Sequence, residues 1–199
     1  MVHVQGFISN RQEGGLKAEG GSFYAKYRFL SKDAIQSHFR MAAYGRYSLN
    51  RADIHQQEIE TMGHNTGYET GLIATQLLHK VAISSSVSYE RALDNNPDYK
   101  FPSTESNSAV NYTLSVGKLM LPKVYKDYKQ TNMNLMLELL GQRLNDNGKS
   151  YLDIAPSVQF IINSQARVDI GYRQELYSTM KRTAPNGIVL KFEYTFFNV

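Results

Sequence analysis

Residues 151–178 read YLDIAPSVQFIINSQARVDIGYRQELYS, and residues 188–197 read IVLKFEYTFF. In the first part Leu152, Ile154, Pro156, Val158, Phe160 and Ile162 alternate with Tyr151, Asp153, Ser157 and Gln159. After Asn163-Ser164-Gln165, Val168, Ile170 and Tyr172 alternate with Arg167, Asp169, Arg173 and Glu175. In the last part Ile188, Leu190, Phe192, Tyr194 and Phe196 alternate with Lys191, Glu193 and Thr195. Successive side chains on an extended strand point to opposite faces of a sheet, so a period of two over this length specifies three β-strands, each with one apolar and one charged face. A soluble sheet with the apolar face buried and a membrane barrel with the apolar face outward both produce such strands.

Working outward from this region, the same design recurs. Val2, Val4, Gly6 and Ile8 outline a first strand, and the polar, glycine-rich residues 10–22 read as a loop. Phe23, Ala25, Tyr27 and Phe29 outline a second strand, with a short polar connection over 31–37. Phe39, Met41, Ala43, Gly45, Tyr47 and Leu49 outline a third, followed by a long polar loop over 51–66. Val81, Ile83, Val87 and Tyr89 form another strand before the proline-containing loop 93–108, and Val110, Tyr112, Leu114, Val116 and Met120 the next. Two segments have a blurred period. Residues 67–80 place Leu72, Ile73, Leu77 and Leu78 on both faces, and residues 131–144 fit a helical stripe as well as a strand. The hairpin signal Asn145-Asp146-Asn147-Gly148 favours a strand for the latter. The total is ten strands in a single domain over residues 1–199, or twelve if further strands precede Met1.

Composition bounds the class. The chain has 199 residues, 42% of them hydrophobic, fourteen tyrosines and no cysteine or tryptophan. No apolar run approaches the ~18 to 20 residues of a membrane-spanning helix, but barrel strands alternate and escape that test. Without cysteine there is no disulfide and no sulfur ligand. A formal net charge of +4, spread along the chain, points to no nucleic-acid partner. The opening residues are not a secretory signal, so a barrel reading expects a leader upstream.

The connections separate the two environments. They mostly alternate between long (10–22, 51–66, 93–108) and short (31–37, near 80, 163–165), with 122–130 and 178–187 of medium length and 145–149 short, broadly as in an up-and-down transmembrane barrel with tight turns on one side and long loops on the other. The strands also run longer than the ~5 to 6 residues usual in soluble sheets. With the apolar face toward lipid, the inward face collects Lys26, Arg28, Arg40, Arg46, Arg167, Arg173 and Lys191 against Glu90, Glu138, Asp153, Asp169, Glu175 and Glu193. Lys118 has the opposite parity and is expected to snorkel to an interface. These charges cannot fill the core of a soluble barrel, although the outer face of a soluble sandwich would accept them. The hairpin series, the start Tyr151-Leu152-Asp153-Ile154-Ala155-Pro156 and the closing Tyr194-Thr195-Phe196-Phe197 resemble a Gram-negative outer-membrane β-barrel. It departs from that class in finishing Phe197-Asn198-Val199 rather than on an aromatic residue. The resemblance implies a bacterial outer-membrane location and a lipid bilayer as partner.

His55 and His64 share the long loop with Asp53, Glu58 and Glu60, a conceivable metal site, but a solvated loop is the default and no metal or other cofactor is expected. Ser37 and His38 are strand neighbours that face opposite ways, so they form no catalytic dyad. Gly14-Gly15 and Gly20-Gly21 lack the strand–helix context of a phosphate loop. The inward charges therefore form the leading candidate site: a charged path for a small solute or ion in a porin-like transport barrel, or a salt-bridged plug in a structural one. An outer-membrane enzyme with a rim site and a soluble ligand-binding barrel are the alternatives. Phe23, Tyr112, Tyr172, Tyr194 and Phe196 are expected to mark the lipid interfaces.

Overall fold

The computed structural model describes residues 1–9, 15–53, 56–97, 100–122, 124, 127 and 129–195. These residues form ten strands: β1 (Val2–Ser9), β2 (Lys17–Ala34), β3 (Ser37–Asn50), β4 (Thr66–Leu78), β5 (Val81–Leu93), β6 (Ser108–Leu121), β7 (Asn132–Leu144), β8 (Ser150–Ile162), β9 (Ala166–Ser178) and β10 (Gly187–Tyr194). They make one curled antiparallel sheet, a half-barrel, whose spatial order follows the chain order. No helix is present among the described residues.

Both blurred segments are strands. In β4, Ile73 and Leu77 belong to the concave face while Leu72 and Leu78 belong to the convex one, so apolar residues fall on both parities. β7 likewise places Met136 and Leu140 on the concave side. The second strand is longer than its apolar alternation suggests. Residues 17–22 and 31–34, read as loop and connection, are paired strand, because the backbone ladder continues past the apolar residues into both hairpins.

Connections sort by end. Tight turns at Ile35-Gln36, His79-Lys80 and 163–165 close one end, with Gln36, His79, Asn163 and Ser164 at φ of 59°, 53°, 53° and 57°. Positive φ at the turn centre gives a hairpin the twist of its flanking strands. The connection 122–131 is also at this end. The other end carries the connections β1–β2, β3–β4, β5–β6, β7–β8 and β9–β10.

Burial is inverted relative to a soluble β-protein. The most deeply buried side chains include Ser48, Asn50, Thr61, Asn65, Gln142 and Asp153, with Ile59 and Leu144 the large apolar ones. The convex face exposes Phe23, Leu72, Val87, Tyr112, Leu114, Leu137, Ile170 and Tyr172. No second sheet covers that face among the described residues, so the fold is not a sandwich. Two glycines permit close ring packing. Tyr112 lies over Gly141 on the convex face, and Tyr44 packs against Gly71 on the concave face, where an added Cβ would sit 2.8 Å from the ring.

The loop 51–65 enters the concave side. Ile59 joins Ala92, Ala109, Leu144, Tyr151 and Met180 in a small apolar cluster, with Phe101 against it.

Candidate functional site: the concave face and its inserted loops

Register places all thirteen charged residues expected on one face together on the concave side. They are not spread evenly. β2 and β3 contribute the cations Lys26, Arg28, Arg40 and Arg46; β4 to β7 contribute Glu69, Glu90 and Glu138; β8 to β10 are mixed. Lys118, of opposite parity, is on the convex face beside Val116, Met120 and Leu135.

The densest cluster gathers around Arg182, in the 179–186 loop. Its Nη1 and Nη2 donate to Asp153 Oδ1 and Oδ2 at 2.8 and 2.7 Å, a bidentate pair. Nε donates to Glu58 Oε2 at 2.8 Å and Nη1 to Glu175 Oε2 at 3.0 Å. Arg173 donates to the same two acids, at 2.5 Å to Asp153 and 3.1 Å to Glu58. Both guanidinium groups lie over the Tyr151 ring, Arg182 at 3.7 Å and Arg173 at 5.5 Å from its centroid. Asp153 is directly followed in register by Glu175, so two like charges face each other across β8 and β9. Arg182 resolves that repulsion by bridging them. Burial works against its charge, but the bonds and fields of Asp153 and Glu58 outweigh this and raise its pKa above that of a free arginine.

A second cluster fixes the 51–65 loop to the middle strands. Glu90 accepts from the Thr61 backbone N–H at 2.7 Å, the Thr61 hydroxyl at 2.8 Å and Asn111 Nδ2 at 2.6 Å. The Gln142 side chain reads the Ile59 backbone as a neighbouring strand would: its Oε1 accepts from Ile59 N–H at 2.9 Å and its Nε2 donates to Ile59 C=O at 2.8 Å. Beside this, Glu69 accepts from Tyr44 at 2.5 Å, Ser88 at 2.8 Å and Arg46 at 2.9 Å.

The inserted loops also hold each other. Gln57 exchanges bonds with Lys181, its N–H donating to Lys181 C=O at 2.9 Å and its Oε1 accepting from Lys181 N–H at 3.0 Å. Asn95 donates to Ala52 C=O at 2.6 Å and His64 C=O at 3.0 Å. Hydrogen bonds thus tie the 51–65 loop to both the 179–186 and the 94–107 loops.

Toward the tight turns the arrangement is looser. Arg167 and Lys191 each approach Glu193 at 3.5 Å, and Asp169 stands opposite Lys191 in register. Asp33 holds His38 at 2.6 Å and Arg40 at 3.7 Å. Lys26, Arg28 and Arg40 line one recess with Ala42, Ile73 and Thr75.

Sequence reasoning missed Glu58, Thr61, Glu69, Gln142 and Arg182 as members of these clusters. Glu69 lies in the blurred segment 67–80, while Glu58, Thr61 and Arg182 are in loops where no periodicity exists to assign a face. Of the conceivable metal group, Glu58 is taken up by Arg173 and Arg182, His64 is buried, and His55 lies outside the described residues. Among the described residues no group of three His, Asp or Glu is arranged to hold a metal ion. Ser37 accepts from Gln76 while His38 pairs with Asp33, so the two are separately engaged. Phe196 also lies outside the described residues; Phe23, Tyr112, Tyr172 and Tyr194 are on the convex face.

Compared with protein-family models, with curated proteins and with solved structures, the chain matches none.

Proposed function

We propose that the chain is an outer-membrane type β-barrel whose polar concave face forms a path for small solutes or ions, closed at the long-loop mouth by residues 51–65 and 179–186. The inverted burial carries this reading. Side chains such as Asp153, Gln142 and Asn50 are among the most buried, while the convex face exposes aliphatic and aromatic residues on every strand from β1 to β10. In water that surface has no physical justification, since contiguous exposed apolar area of this extent drives association. In a bilayer it is the favourable arrangement. Strands of 13 and 14 residues exceed the ~9 to 11 needed to cross hydrocarbon at the usual tilt. A bilayer also requires that the outer edges of β1 and β10 be paired, because unsatisfied backbone groups are not tolerated in hydrocarbon.

The packed loops favour a closed state over a permanently open pore. The test is refolding into detergent micelles and planar bilayers, comparing wild type with Arg182→Ala/Gln142→Ala, which loosens the loops. The reading expects detergent-dependent folding, little conductance in the wild type and discrete conductance steps in the variant. Monodisperse folded protein in plain buffer overturns the membrane assignment. Silence of both forms in bilayers overturns the path and leaves a structural barrel.

A further inference from the structure

We infer that the tight-turn end of the concave face is a binding site for a small oxyanion, phosphate in chemistry, held by Lys26, Arg28 and Arg40. The site supplies a solute class for the path proposed above; its role in passage rests on that reading, whereas binding requires only the fold.

Cations on the concave face differ in their partners, with Arg167 and Lys191 sharing Glu193 at 3.5 Å. Arg46, Arg173 and Arg182 each contact a carboxylate within 2.5 to 3.1 Å. Lys26 and Arg28 have no carboxylate partner among the described residues, and Arg40 has only Asp33 at 3.7 Å, a group already bonded to His38. The three are also close together. Lys26 and Arg28 are alternate residues on one face of β2, and Arg28 stands opposite Ala42, the same-face neighbour of Arg40 on β3. Side chains in that diagonal relation reach one another. The three like charges repel around a recess that Met1, Ala42, Ile73 and Thr75 also line, and Thr75 of the next strand, β4, places a hydroxyl there, bonded to Ser84 at 2.9 Å. Guanidinium and ammonium donors, with Asp33 as the single neighbouring carboxylate among the described residues at 3.7 Å from Arg40, match a tetrahedral oxyanion: each guanidinium presents a planar fork of donors and the lysine adds a mobile point charge. A cation would meet the same field as a barrier. The anion has access from solvent, since half of the Arg40 side chain is exposed.

The experiment is calorimetric titration of the protein, folded in a maltoside detergent free of phosphate, with inorganic phosphate and separately with glucose 6-phosphate. Saturable binding is expected, weakened roughly tenfold or more by Lys26→Gln/Arg28→Gln/Arg40→Gln, because hydrogen bonds to charged groups are lost. Asp33→Asn, which removes the one local carboxylate, is expected to tighten binding and does not depend on the triple variant folding. Lys118→Gln on the convex face serves as the control. Equal binding of both probes identifies the free ion as sufficient; binding of the sugar phosphate alone identifies a phosphate group on a larger solute. No saturable binding of either probe, or binding unchanged in both the triple and the Asp33→Asn variants, overturns the site. Cation-selective conductance in the loosened variant overturns the role of the site in passage, not the binding. Phosphate binding in a protein that never conducts overturns the path instead.

Discussion

Arg182 seats its guanidinium carbon 3.7 Å from the centroid of the Tyr151 ring, with its side chain 1% exposed, and from that position bonds Asp153, Glu58 and Glu175 together. The ring blocks one face of the guanidinium from solvent while leaving its in-plane donors free, which is how one side chain serves three acids. A loop, the adjacent strand pair and a second loop 124 residues away in sequence are joined at one group.

Removing that group should be costly. Arg182→Ala leaves Asp153 and Glu175 facing each other across β8 and β9 with Arg173 as the remaining cation. Breaking a buried ion network from one side costs about 3 to 5 kcal/mol. Arg182→Lys should recover little, since an ammonium cannot form the bidentate pair or reach both Asp153 and Glu58. Urea unfolding in micelles measures the loss. A midpoint equal to wild type for Arg182→Ala contradicts the assigned role, and Asp153→Asn with Arg182 intact should fall between the two.

Gln142 makes a second, separable prediction. Its amide satisfies both backbone groups of Ile59, so Gln142→Ala strands a buried N–H and C=O at a cost of about 1 to 3 kcal/mol. The strand itself should persist, because β7 keeps its ladder with β6 and β8. Limited trypsin digestion reads the difference: cleavage at Arg51 should accelerate while cleavage within β7 does not. Equal acceleration at both sites means that the side chain stabilises the sheet rather than the loop.

The contrast between these clusters and the strands shows what is legible from sequence. Arg167, Asp169, Arg173, Lys191 and Glu193 can be assigned to one face because apolar neighbours keep strict parity around them. That parity fails in β4, where Ile73 and Leu77 face the concave side, and Glu69 went unnoticed with it. Both ends of β2 escape the alternation for a related reason: backbone pairing needs no apolar side chain, so polar residues 17–22 and 31–34 carry the ladder without announcing it. Glu58 and Arg182 lie beyond any periodic argument. Their pairing depends on two loops folding to the same side of a sheet, which only the three-dimensional path of the chain decides.

The convex face yields a prediction that separates lipid from water. Leu137 is near the middle of β7 and points outward among Val116, Leu135 and Ile170. Leu137→Arg should destabilise the protein in bilayers by about 2 to 4 kcal/mol if that position is at membrane depth. An exposed position in water would lose less than about 0.5 kcal/mol. Folding equilibria in liposomes give the number directly, and a near-zero change argues against lipid contact at this level.

The edge strands offer the last test. Val4 on β1 and Leu190 on β10 are 82% and 72% exposed, against 46% for Leu114 and Leu137 in the middle of the sheet, as expected of strands with a neighbour on one side only among the described residues. Outer-edge N–H and C=O groups of such strands must be paired in hydrocarbon. In liposomes the amides of β1 and β10 should therefore exchange with deuterium as slowly as those of β5, whichever strands supply the pairing. Hydrogen exchange by mass spectrometry resolves these segments, because peptides covering 2–9, 81–93 and 187–194 are distinct. Slow exchange across all three places the edges in a paired state within the membrane. Fast exchange confined to β1 and β10, with β5 protected, means that the edges stay in water and that the sheet does not cross the bilayer.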